Sequence, residues 1–558
     1  MAPPKFMGLS GRPLSIAVST VATTGFLLFG YDQGVMSGII TAPAFNDVFE
    51  ATRDDSTMQG LVTAIYELGC LAGAMFILWV GDILGRRKAI ILGAFIMLLG
   101  VIIQVTSMPG ATPLAQFFVG RVVMGIGNGV NTSTNNLAGK TSNRGLLICI
   151  EGATIAFGTL IAYWIDYGAS YGPDDLVWRF PIAFQVVFAI FIIIPMCFLP
   201  ESPRWLLSHQ RVEDADRVIA AIRGYDVDGE ETILERNVIM DSLRAAGGFG
   251  QKSTPIKALT TGGKTQHLRR MLLGSSSQLM QQIGGCNAVI YYFPILFQKS
   301  IGEDHNMSLL LGGVNMVVYA IFATTSWFVI ERVGRRRLFL IGSIGQCLSM
   351  VITFACLIPD DPMIARGAAV GLFTYIAFFG ATWLPLPWLY PAEVNPVKTR
   401  GKANAVSTCV NWLFNFLIVM VTPIMVSNIG WGTYLFFAAV NACFIPVIYF
   451  FYPETARRSL EEIDLIFAKG HVENISYVKA AKELPQLQPE EIEQYARQYG
   501  LVDGSARMGA GRDARDEEEK AAASGDSSNN ASGVIVNEHG ADGGWGDGLN
   551  MSARADRD

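Results

Sequence analysis

The chain has 558 residues, of which 51% are hydrophobic and only 16% are charged, and its mean hydropathy is +0.35. An ordinary soluble domain carries about a quarter charged residues, so this composition excludes a soluble globular protein and predicts a protein embedded in lipid. The net charge of −6 says little about partners because the C-terminal tail carries more acid than base, and we expect no nucleic-acid partner.

The apolar residues are concentrated in runs of about twenty, the length that an α-helix needs to cross roughly 30 Å of hydrocarbon. These runs predict an all-α membrane protein with twelve transmembrane helices. No small-residue cleavage site follows the first run, so we expect it to remain as a helix and not to be removed as a signal peptide. The predicted spans are 15–38, 58–80, 88–106, 115–134, 146–168, 181–199, 271–297, 308–330, 338–358, 367–391, 403–426 and 431–452.

The charges between the spans predict the orientation of the chain under the positive-inside rule. Basic clusters occur in alternate loops, at Arg86–Lys88, in segment 204–270 and at Arg335–Arg337. The loops between them are acidic, as at Asp54-Asp55 and Asp360-Asp361. We therefore expect a multi-pass protein of the plasma membrane with both termini in the cytoplasm.

Three short signatures recur in the same order along the chain, at offsets of 250, 256 and 253 residues. Three matches at nearly one spacing predict two homologous, pseudo-symmetric six-helix halves around a central cavity, which is the architecture of a transporter. The paired signatures are Gly81–Arg87 with Glu331–Arg337, Arg144-Gly145 with Arg400-Gly401, and Pro200–Ser202 with Pro453–Thr455.

The repeat also predicts where the domains begin and end. A polar segment separates the halves, and the composition beyond about residue 470 turns to Glu, Ala, Gly, Ser and Asp, which cannot form a core. We expect a cytoplasmic tail at 1–14, the N-terminal half at 15–200, a cytoplasmic linker with short surface helices at 201–270, the C-terminal half at 271–453, a cytoplasmic segment at 454–499 and a disordered tail at 500–558.

The basic loop motifs have two interpretations. They could serve only to orient the chain in the membrane, or their arginines could pair with the acids of the signatures and form a gate that closes the cytoplasmic face, as alternating access requires. The predicted gate residues are Asp82, Arg86, Arg87, Arg144, Glu201, Arg204, Glu331, Arg335, Arg336, Glu393, Arg400, Glu454 and Arg458.

Several motifs together are specific to one family. They are Gly30-Tyr31-Asp32, Gly85–Arg87, Pro200–Trp205, Gln281-Gln282 with Asn287, Gly334–Arg336, and Pro453–Thr455 followed by Ser459–Glu462. With these motifs the chain resembles the sugar porter family of the major facilitator superfamily over residues 10–465. Within that family it is most similar to the fungal branch of sugar-transporter-like glycerol/proton symporters, through Ile150–Gly152, Ala156–Gly158, Ala162–Asp166, Gly285–Asn287 and Ser459–Asp464.

Ionisable residues inside the spans are candidates for proton coupling, because a charge there costs several kcal/mol unless it is paired or neutral. Asp32 lies in the first span, and Arg121 is the arginine deep in span four. The resemblance implies that this pair is the proton site; a static ion pair between the two spans is the alternative. Glu67 and Glu151 could be solvated at an interface, and Glu67 is also a candidate for a second proton site.

Span seven carries three amides, Gln281, Gln282 and Asn287, spaced so that the second glutamine and the asparagine can reach one ligand. Sugars and polyols present hydroxyls that donate and accept hydrogen bonds, and amides match both roles. Hydrogen bonds between helices are the alternative role. The resemblance implies that these amides coordinate sugar hydroxyls. It adds as substrate-binding candidates Phe29, Asn315, Trp383, Trp388, Asn411 and Asn415, although a tryptophan near a broken span could be only an interface anchor.

The sequence departs from the family pattern at two kinds of position. Gly152 and Gly380 stand where hexose carriers of the family usually place polar side chains, which favours a smaller polyol or a differently placed sugar. Segment 130–143 is about four residues shorter than is usual, lacks a glutamate that would join the gate, and predicts that span four ends early or is strained.

The predicted function is transport of a small polyol or monosaccharide by proton symport with alternating access. A proton-independent facilitator of the same fold and a transporter-like nutrient receptor are the alternatives. We find no nucleophile, metal-ligand or phosphate-loop constellation, so we predict no enzyme activity, no metal and no cofactor.

Overall fold

The computed structural model describes residues 4–53, 55–108, 110, 112–135, 144–245, 256–359 and 361–501. Throughout those ranges the regular structure is helical, apart from one β-bridge between Phe6 and Leu9. The predicted disordered tail lies outside them beyond Leu501.

The first half contains six spans and one short helix in the loop after the first span. All six spans lie close to the predicted positions, and each begins a few residues before its predicted apolar run. The helices are α1 (Arg12–Ile39), α2 (Pro43–Val48), α3 (Ser56–Leu84), α4 (Arg86–Val105), α5 (Pro113–Asn135), α6 (Arg144–Ala169) and α7 (Asp174–Phe198).

The second half also contains six spans, two of which are built from two helices each. The helices are α11 (His267–Ile283), α12 (Cys286–Leu296), α13 (His305–Val333), α14 (Arg335–Leu357), α15 (Pro362–Ala365), α16 (Ala368–Phe378), α17 (Leu386–Val394), α18 (Arg400–Ile429) and α19 (Gly432–Phe451). Short helices occupy the linker, α8 (Pro203–Ser208), α9 (Val212–Arg223) and α10 (Glu230–Ala245), and the C-terminal segment, α20 (Leu460–Val472), α21 (Tyr477–Glu483) and α22 (Pro489–Gln498).

Ten of the spans in the described ranges are long and apolar enough to cross a membrane by hydropathy alone. The two that are not are informative. The α5 span carries Arg121 and several asparagines among its apolar residues, and the seventh span is interrupted between α11 and α12. Polar or broken spans are tolerated where they are covered by protein or line a cavity.

The tenth span contains Pro385 and Pro387, and its α-helix is interrupted before either proline. After α16 the chain makes a π-helical turn over Phe379–Trp383, in which the Leu384 amide donates to the Phe379 carbonyl at 2.9 Å. Pro385 and Pro387 have no amide hydrogen, so the carbonyls one turn before them are left without helical partners. The wider turn and the loss of these bonds leave backbone carbonyls free to bind side chains.

We call the side of the molecule that carries α8–α10 the linker side. The first helix is tied to this side, because the Gly11 amide donates to the Ala221 carbonyl at 2.6 Å and the Ser15 hydroxyl donates to the Ile222 carbonyl at 2.9 Å. Towards the opposite side the halves meet along a seam formed by α3 with α18, α1 with α12, and α6 with α13. In the seam the hydroxyls of Ser56 and Ser427 are 2.6 Å apart.

Glycine permits the close approach of α1 and α6 in the first half. A Cβ atom placed on Gly30 would lie 2.0 Å from the Ile155 carbonyl oxygen, so the two backbones touch at this point. Close backbone packing of this kind is a main source of helix association in a membrane. Gly30 directly precedes the Tyr31-Asp32 pair and therefore fixes the depth at which Asp32 faces the core.

We expect Gly30→Ala to destabilise the protein, because the added methyl group forces α1 away from α6 at a cost of about 1–3 kcal/mol or more. The measurement is the thermal unfolding midpoint of the purified protein in detergent. Gly168→Ala is the matched control, since Gly168 lies in α6 with no atom within 4 Å of the added Cβ. Equal midpoints for the two variants would contradict the close approach.

Candidate functional site

The amides of the seventh span surround the break between α11 and α12. Gly285 has a φ of 97°, a value that side-chain-bearing residues rarely adopt, and this turn allows the chain to end one helix and start the next. Across the break, the Asn287 side-chain amide donates to Gln282 Oε1 and to Asn415 Oδ1, both at 2.6 Å. The predicted convergence of Gln282 and Asn287 is therefore present.

The other glutamine of the pair binds the irregular part of the tenth span. Gln281 donates to the Trp383 carbonyl at 2.8 Å and accepts from Asn411 at 3.1 Å. Gln278, which we did not single out from the sequence, donates to the Pro387 carbonyl at 2.6 Å. These bonds join α11, α17 and α18 at the carbonyls that the π-helical turn and the prolines leave free.

A small cavity lies where these amides face the first half. Its free volume is about 20 Å³, little more than the roughly 10–15 Å³ that one water molecule needs. The halves therefore have to move apart before a sugar-sized ligand can enter. The cavity is lined by Phe29, Gln33, Ile155, Gln281, Gln282, Cys286, Asn287, Ile290, Tyr319, Phe379, Leu384, Trp388 and Asn411.

Three predicted substrate residues lie off this wall. Trp383 is buried between Phe339 and Phe444, with ring centroids at 4.8 Å and 5.6 Å, so its ring packs inside the second half. Asn415 lies behind the wall and reaches it through Asn287. Asn315 is fully buried in α13, and neither polar atom of its amide has a hydrogen-bond partner in the described structure.

Sequence reasoning missed Gln33 and Tyr319, which line the cavity. Gln33 follows Asp32 directly and is buried in an apolar span, which was a usable signal. Tyr319 carries a buried hydroxyl that makes no hydrogen bond to any described residue. An aromatic residue among others in an apolar span gives no signal of this kind in the sequence.

Asp32 is fully buried, and its direct partner is Tyr66, whose hydroxyl donates to Asp32 Oδ2 at 2.9 Å. Asn128 in turn donates to the Tyr66 oxygen. The second carboxyl oxygen of Asp32 has no hydrogen-bond partner among the described residues. Tyr66 and Asn128 were absent from the predicted site.

Arg121 is also fully buried, and it does not form a direct ion pair with Asp32. Its guanidinium donates to the Thr63 carbonyl at 2.9 Å and stacks over the Tyr66 ring at 4.9 Å from the centroid. Two of its nitrogens have no partner within the described residues. Tyr66 thus lies between the Asp32 carboxyl group and the Arg121 guanidinium. The static Asp32–Arg121 ion pair that we considered as an alternative is not present in this arrangement.

Glu67 lies at the seam and is not solvated at an interface, which was one of the two possibilities that the sequence left open. It is fully buried, and Tyr291 of the other half donates to Glu67 Oε1 at 2.6 Å. Helix geometry explains the difference, because residues 66 and 67 point about 100° apart on α3. Tyr66 therefore faces the first half while Glu67 faces the second. Glu151 is half-buried at the start of the fifth span.

The repeated signature on the linker side forms the same structure in both halves. Gly85 and Gly334, with φ of 81° and 94°, precede α4 and α14. Glu201 accepts from the backbone amides of Arg86 and Arg87 at 3.0–3.2 Å, and Glu454 accepts from those of Arg335 and Arg336 at 2.8 Å and 3.1 Å. Each glutamate thus neutralises a helix N-terminus, where amides and the helix dipole favour negative charge.

The arginine side chains have different partners from those we predicted. Arg87 donates to the Met196 carbonyl at 2.9 Å, and Arg336 donates to the Tyr449 carbonyl at 2.8 Å. Both carbonyls belong to the last turns of spanning helices, where cations are favoured. Among the described side chains, these two guanidinium groups cap the ends of helices and do not pair with a signature acid.

Arg335 makes the pairing that the gate interpretation expects. It is buried and forms ion pairs with Glu331 at 2.7 Å and with Glu393 at 2.8 Å, and the Thr455 hydroxyl donates to Glu393 at 2.6 Å. Arg335, Glu331 and Glu393 belong to the second half and Thr455 follows its last span, so this cluster does not join the two halves.

The remaining gate candidates are dispersed. Arg400 donates to the Asn395 carbonyl at 3.2 Å, and Arg458 donates to the Ala481 and Leu484 carbonyls at the end of α21. Arg86 is the first residue of α4 and Arg204 is the second residue of α8, and each takes part in an interaction. The side chains of Asp82 and Arg144 lie outside the described residues.

The departures from the family pattern have structural explanations. Gly152 packs against Leu384, and an added Cβ would lie 3.4 Å from the leucine side chain. Gly380 packs against Tyr319 with a Cβ position only 3.1 Å from its carbonyl oxygen, so close helix packing accounts for this glycine. Helix α5 runs to Asn135 and does not end early, while the shortened segment beyond it lies outside the described residues.

Comparison with known proteins identifies the family. A family model described as "Sugar (and other) transporter" matches residues 18–467. The chain belongs to this transporter family. It is 46% identical to the sugar transporter STL1 of Saccharomyces cerevisiae over 89% of each chain. It is 44% identical to the major facilitator superfamily transporter mfsA of Aspergillus fumigatus over 88% of this chain and 93% of that one.

Solved structures of the major facilitator superfamily share the fold. The proton:xylose symporter XylE bound to 6-bromo-6-deoxy-D-glucose is 23% identical and superposes with a TM-score of 0.68, covering 82% of this chain and 99% of that one. The inward-open form of XylE from E. coli gives a TM-score of 0.65. The predicted resemblance to the sugar porter family and the twelve-helix fold are thereby confirmed.

Proposed function

We propose that this transporter carries a small polyol or monosaccharide together with a proton. The observation that supports coupling most directly is the buried Asp32–Tyr66–Arg121 cluster, in which Asp32 lies one helix turn after Phe29 and directly before Gln33, both on the cavity wall. An unpaired charge in such a buried place is strongly destabilising, so a change in the protonation of Asp32 requires the neighbouring Arg121 guanidinium to change its contacts. A change in the protonation of Asp32 can therefore change how the two halves pack against each other.

The cluster supplies a simple coupling step. When Asp32 is ionised, attraction draws the Arg121 guanidinium towards it, past the edge of Tyr66. When Asp32 takes up a proton, that attraction is lost and Arg121 remains on the Thr63 carbonyl, the arrangement seen in this structure. Because α1 and α5 carry the two groups and α1 also lines the cavity, protonation changes the wall that the substrate meets.

The cavity favours a neutral ligand with several hydroxyls. Its polar groups are amides and a free phenol, which can donate and accept, and its aromatic rings suit the apolar faces of a sugar or polyol. Glycine at position 152 supplies no hydrogen-bonding side chain, which favours a small polyol or a differently placed monosaccharide. The name of the STL1 relative is consistent with a sugar.

The orientation follows from the distribution of basic residues. The linker side carries Arg87, Arg336 and Arg458, and basic residues concentrate on the cytoplasmic side of membrane proteins. We place the linker side and both ends of the described chain in the cytoplasm, and the seam towards the outside of the plasma membrane. Accordingly, α4 and α14 begin at the cytoplasmic face.

The test is uptake of labelled glycerol, glucose and xylose, each measured separately in a host that lacks its own carriers, with the external pH recorded. Symport predicts that the transported compound alkalinises the medium as it enters. Uptake without alkalinisation would instead establish a facilitator, and expression at the membrane without any uptake would favour a receptor.

We expect Asn287→Ala to weaken substrate binding by about tenfold to a hundredfold, because it removes the group that links Gln282 to Asn415 at the cavity wall. The measurement is the half-saturating substrate concentration for uptake. Asn441→Ala is the matched control, since Asn441 is an equally buried asparagine that binds the Gly284 carbonyl away from the wall. A larger effect at Asn441 than at Asn287 would contradict the placement of the binding site.

A further inference from the structure

Glu67 is a second buried acid that the coupling step above does not use. It lies on α3 directly after Tyr66, which binds Asp32, and it faces the seam. Its Oε1 atom accepts from Tyr291 of the second half, and its Oε2 atom has no hydrogen-bond partner among the described residues. A carboxyl group at this depth therefore bridges the proton cluster and the contact between the halves.

The charges around Glu67 do not balance if both acids are ionised. In the described structure the charged groups that face it are Asp32 of α1 and Arg121 of α5. The helices of the second half present the uncharged Tyr291 on α12 and Asn415 on α18, and α3 itself adds Tyr66 and Cys70. Two carboxyl groups share one cation, so the closed cluster is neutral only when one of the acids holds a proton.

Neutrality matters because the cluster is sealed from water. Asp32, Glu67 and Arg121 are each 0% exposed, and an unbalanced charge in such a place is strongly destabilising. When the seam opens, Tyr291 moves away with the second half and water reaches Glu67, which can then ionise. Closing the seam again requires a proton on one of the two acids.

We propose that Glu67 and Asp32 form a two-acid proton site, in which the single Arg121 makes proton uptake a condition for closing the seam. This inference rests on the proposed function and specifies how its coupling works. The proton enters from the side that the open seam faces, binds to either carboxylate, and leaves to the linker side when the cluster opens there. No other reactant is involved.

The inference predicts an uncommon phenotype for Glu67→Gln. With the glutamine in place, ionised Asp32 and Arg121 balance each other without any added proton, so the seam can close unprotonated. We expect downhill uptake to continue while substrate-induced alkalinisation falls by at least about tenfold, although Asp32 is intact. Glu67→Asp keeps the second acid and should retain alkalinisation.

The matched control is Glu151→Gln, which removes another acid of the same half outside the cluster and should leave the ratio of protons to substrate unchanged. If Glu67→Gln transports with the wild-type ratio, the two-acid site is wrong while proton symport stands. If the wild type itself causes no alkalinisation, it is the proposed function that fails, so the two failures are distinguishable.

A second variant tests the inference if Glu67→Gln does not fold. Tyr291→Phe removes the hydrogen bond to Glu67 and keeps the ring. We expect the external pH of half-maximal uptake to fall by about one unit, because the closed, protonated seam loses a bond to Glu67 worth roughly that much and more protons are then needed to close it. Tyr292→Phe, which loses a bond to the Val419 carbonyl within the second half, is the control. An unchanged pH profile in Tyr291→Phe would overturn the role of Glu67.

Discussion

Asp32→Asn should abolish accumulation of the substrate while leaving exchange of substrate across the membrane. Asparagine keeps an oxygen that can accept from Tyr66, so the packing of α1 on α3 is conserved. Asparagine cannot take up or release a proton, so its charge no longer changes and it cannot switch the attraction for Arg121 on and off. A pH difference of about two units supports ~100-fold accumulation at one proton per substrate, and this factor should fall to one.

The measurement compares accumulation at the steady state with exchange of labelled substrate in the same preparation. Asp166→Asn is a suitable control, because Asp166 is a buried acid of the same half whose described partner is the Gly38 amide at 3.2 Å. Loss of accumulation in both variants would indicate a general effect of removing buried acids, and wild-type accumulation in Asp32→Asn would remove Asp32 from the coupling step.

Arg335→Ala should have the largest effect on stability. Removing this buried side chain leaves Glu393 without its cation in a position where water cannot replace it, since the side chain of Glu393 is only 12% exposed. Breaking a buried ion pair in this way costs about 3–5 kcal/mol. We expect a large fall in the thermal unfolding midpoint or failure of the protein to reach the membrane.

Two further variants separate this mechanism from a general loss of charge. Arg366→Ala removes a mostly exposed partner of Glu303 and should cost no more than about 1 kcal/mol. Arg335→Met combined with Glu393→Met removes both buried charges together and should recover most of the lost stability. A double variant as unstable as Arg335→Ala would show that the ion pair is not the cause.

The spans and the two halves could be predicted because both depend on local features of the sequence. An apolar run of about twenty residues has few alternatives to a spanning helix, and the repeated signatures mark equivalent turns. Gly85 and Gly334 occupy equivalent positions before α4 and α14, and Glu201 and Glu454 cap those helices in the same way. The sequence did not reveal that these glutamates bind backbone amides, because nearly every residue has such an amide and the sequence does not show which ones lack a helical partner.

The proton cluster was predicted only in part. Asp32 and Arg121 are conspicuous because charges are rare in spans, whereas Tyr66 between them is one of many aromatic residues in an apolar protein. The burial of Glu67 depends on how the second half packs on α3, which no local pattern records. Likewise, Trp383 and Trp388 share one motif, but the π-helical turn directs the first into the second half and the other to the cavity.

The most direct test of proton-coupled transport uses the purified protein in liposomes with no other carrier present. The labelled substrate starts at equal concentrations on both sides of the membrane. An inward proton gradient is then imposed, and the internal concentration of the substrate is followed over time. Symport predicts that the substrate rises above its external concentration and that a proton ionophore collapses this excess. Equal concentrations throughout, with rapid exchange of label, would show that the protein moves its substrate without a proton.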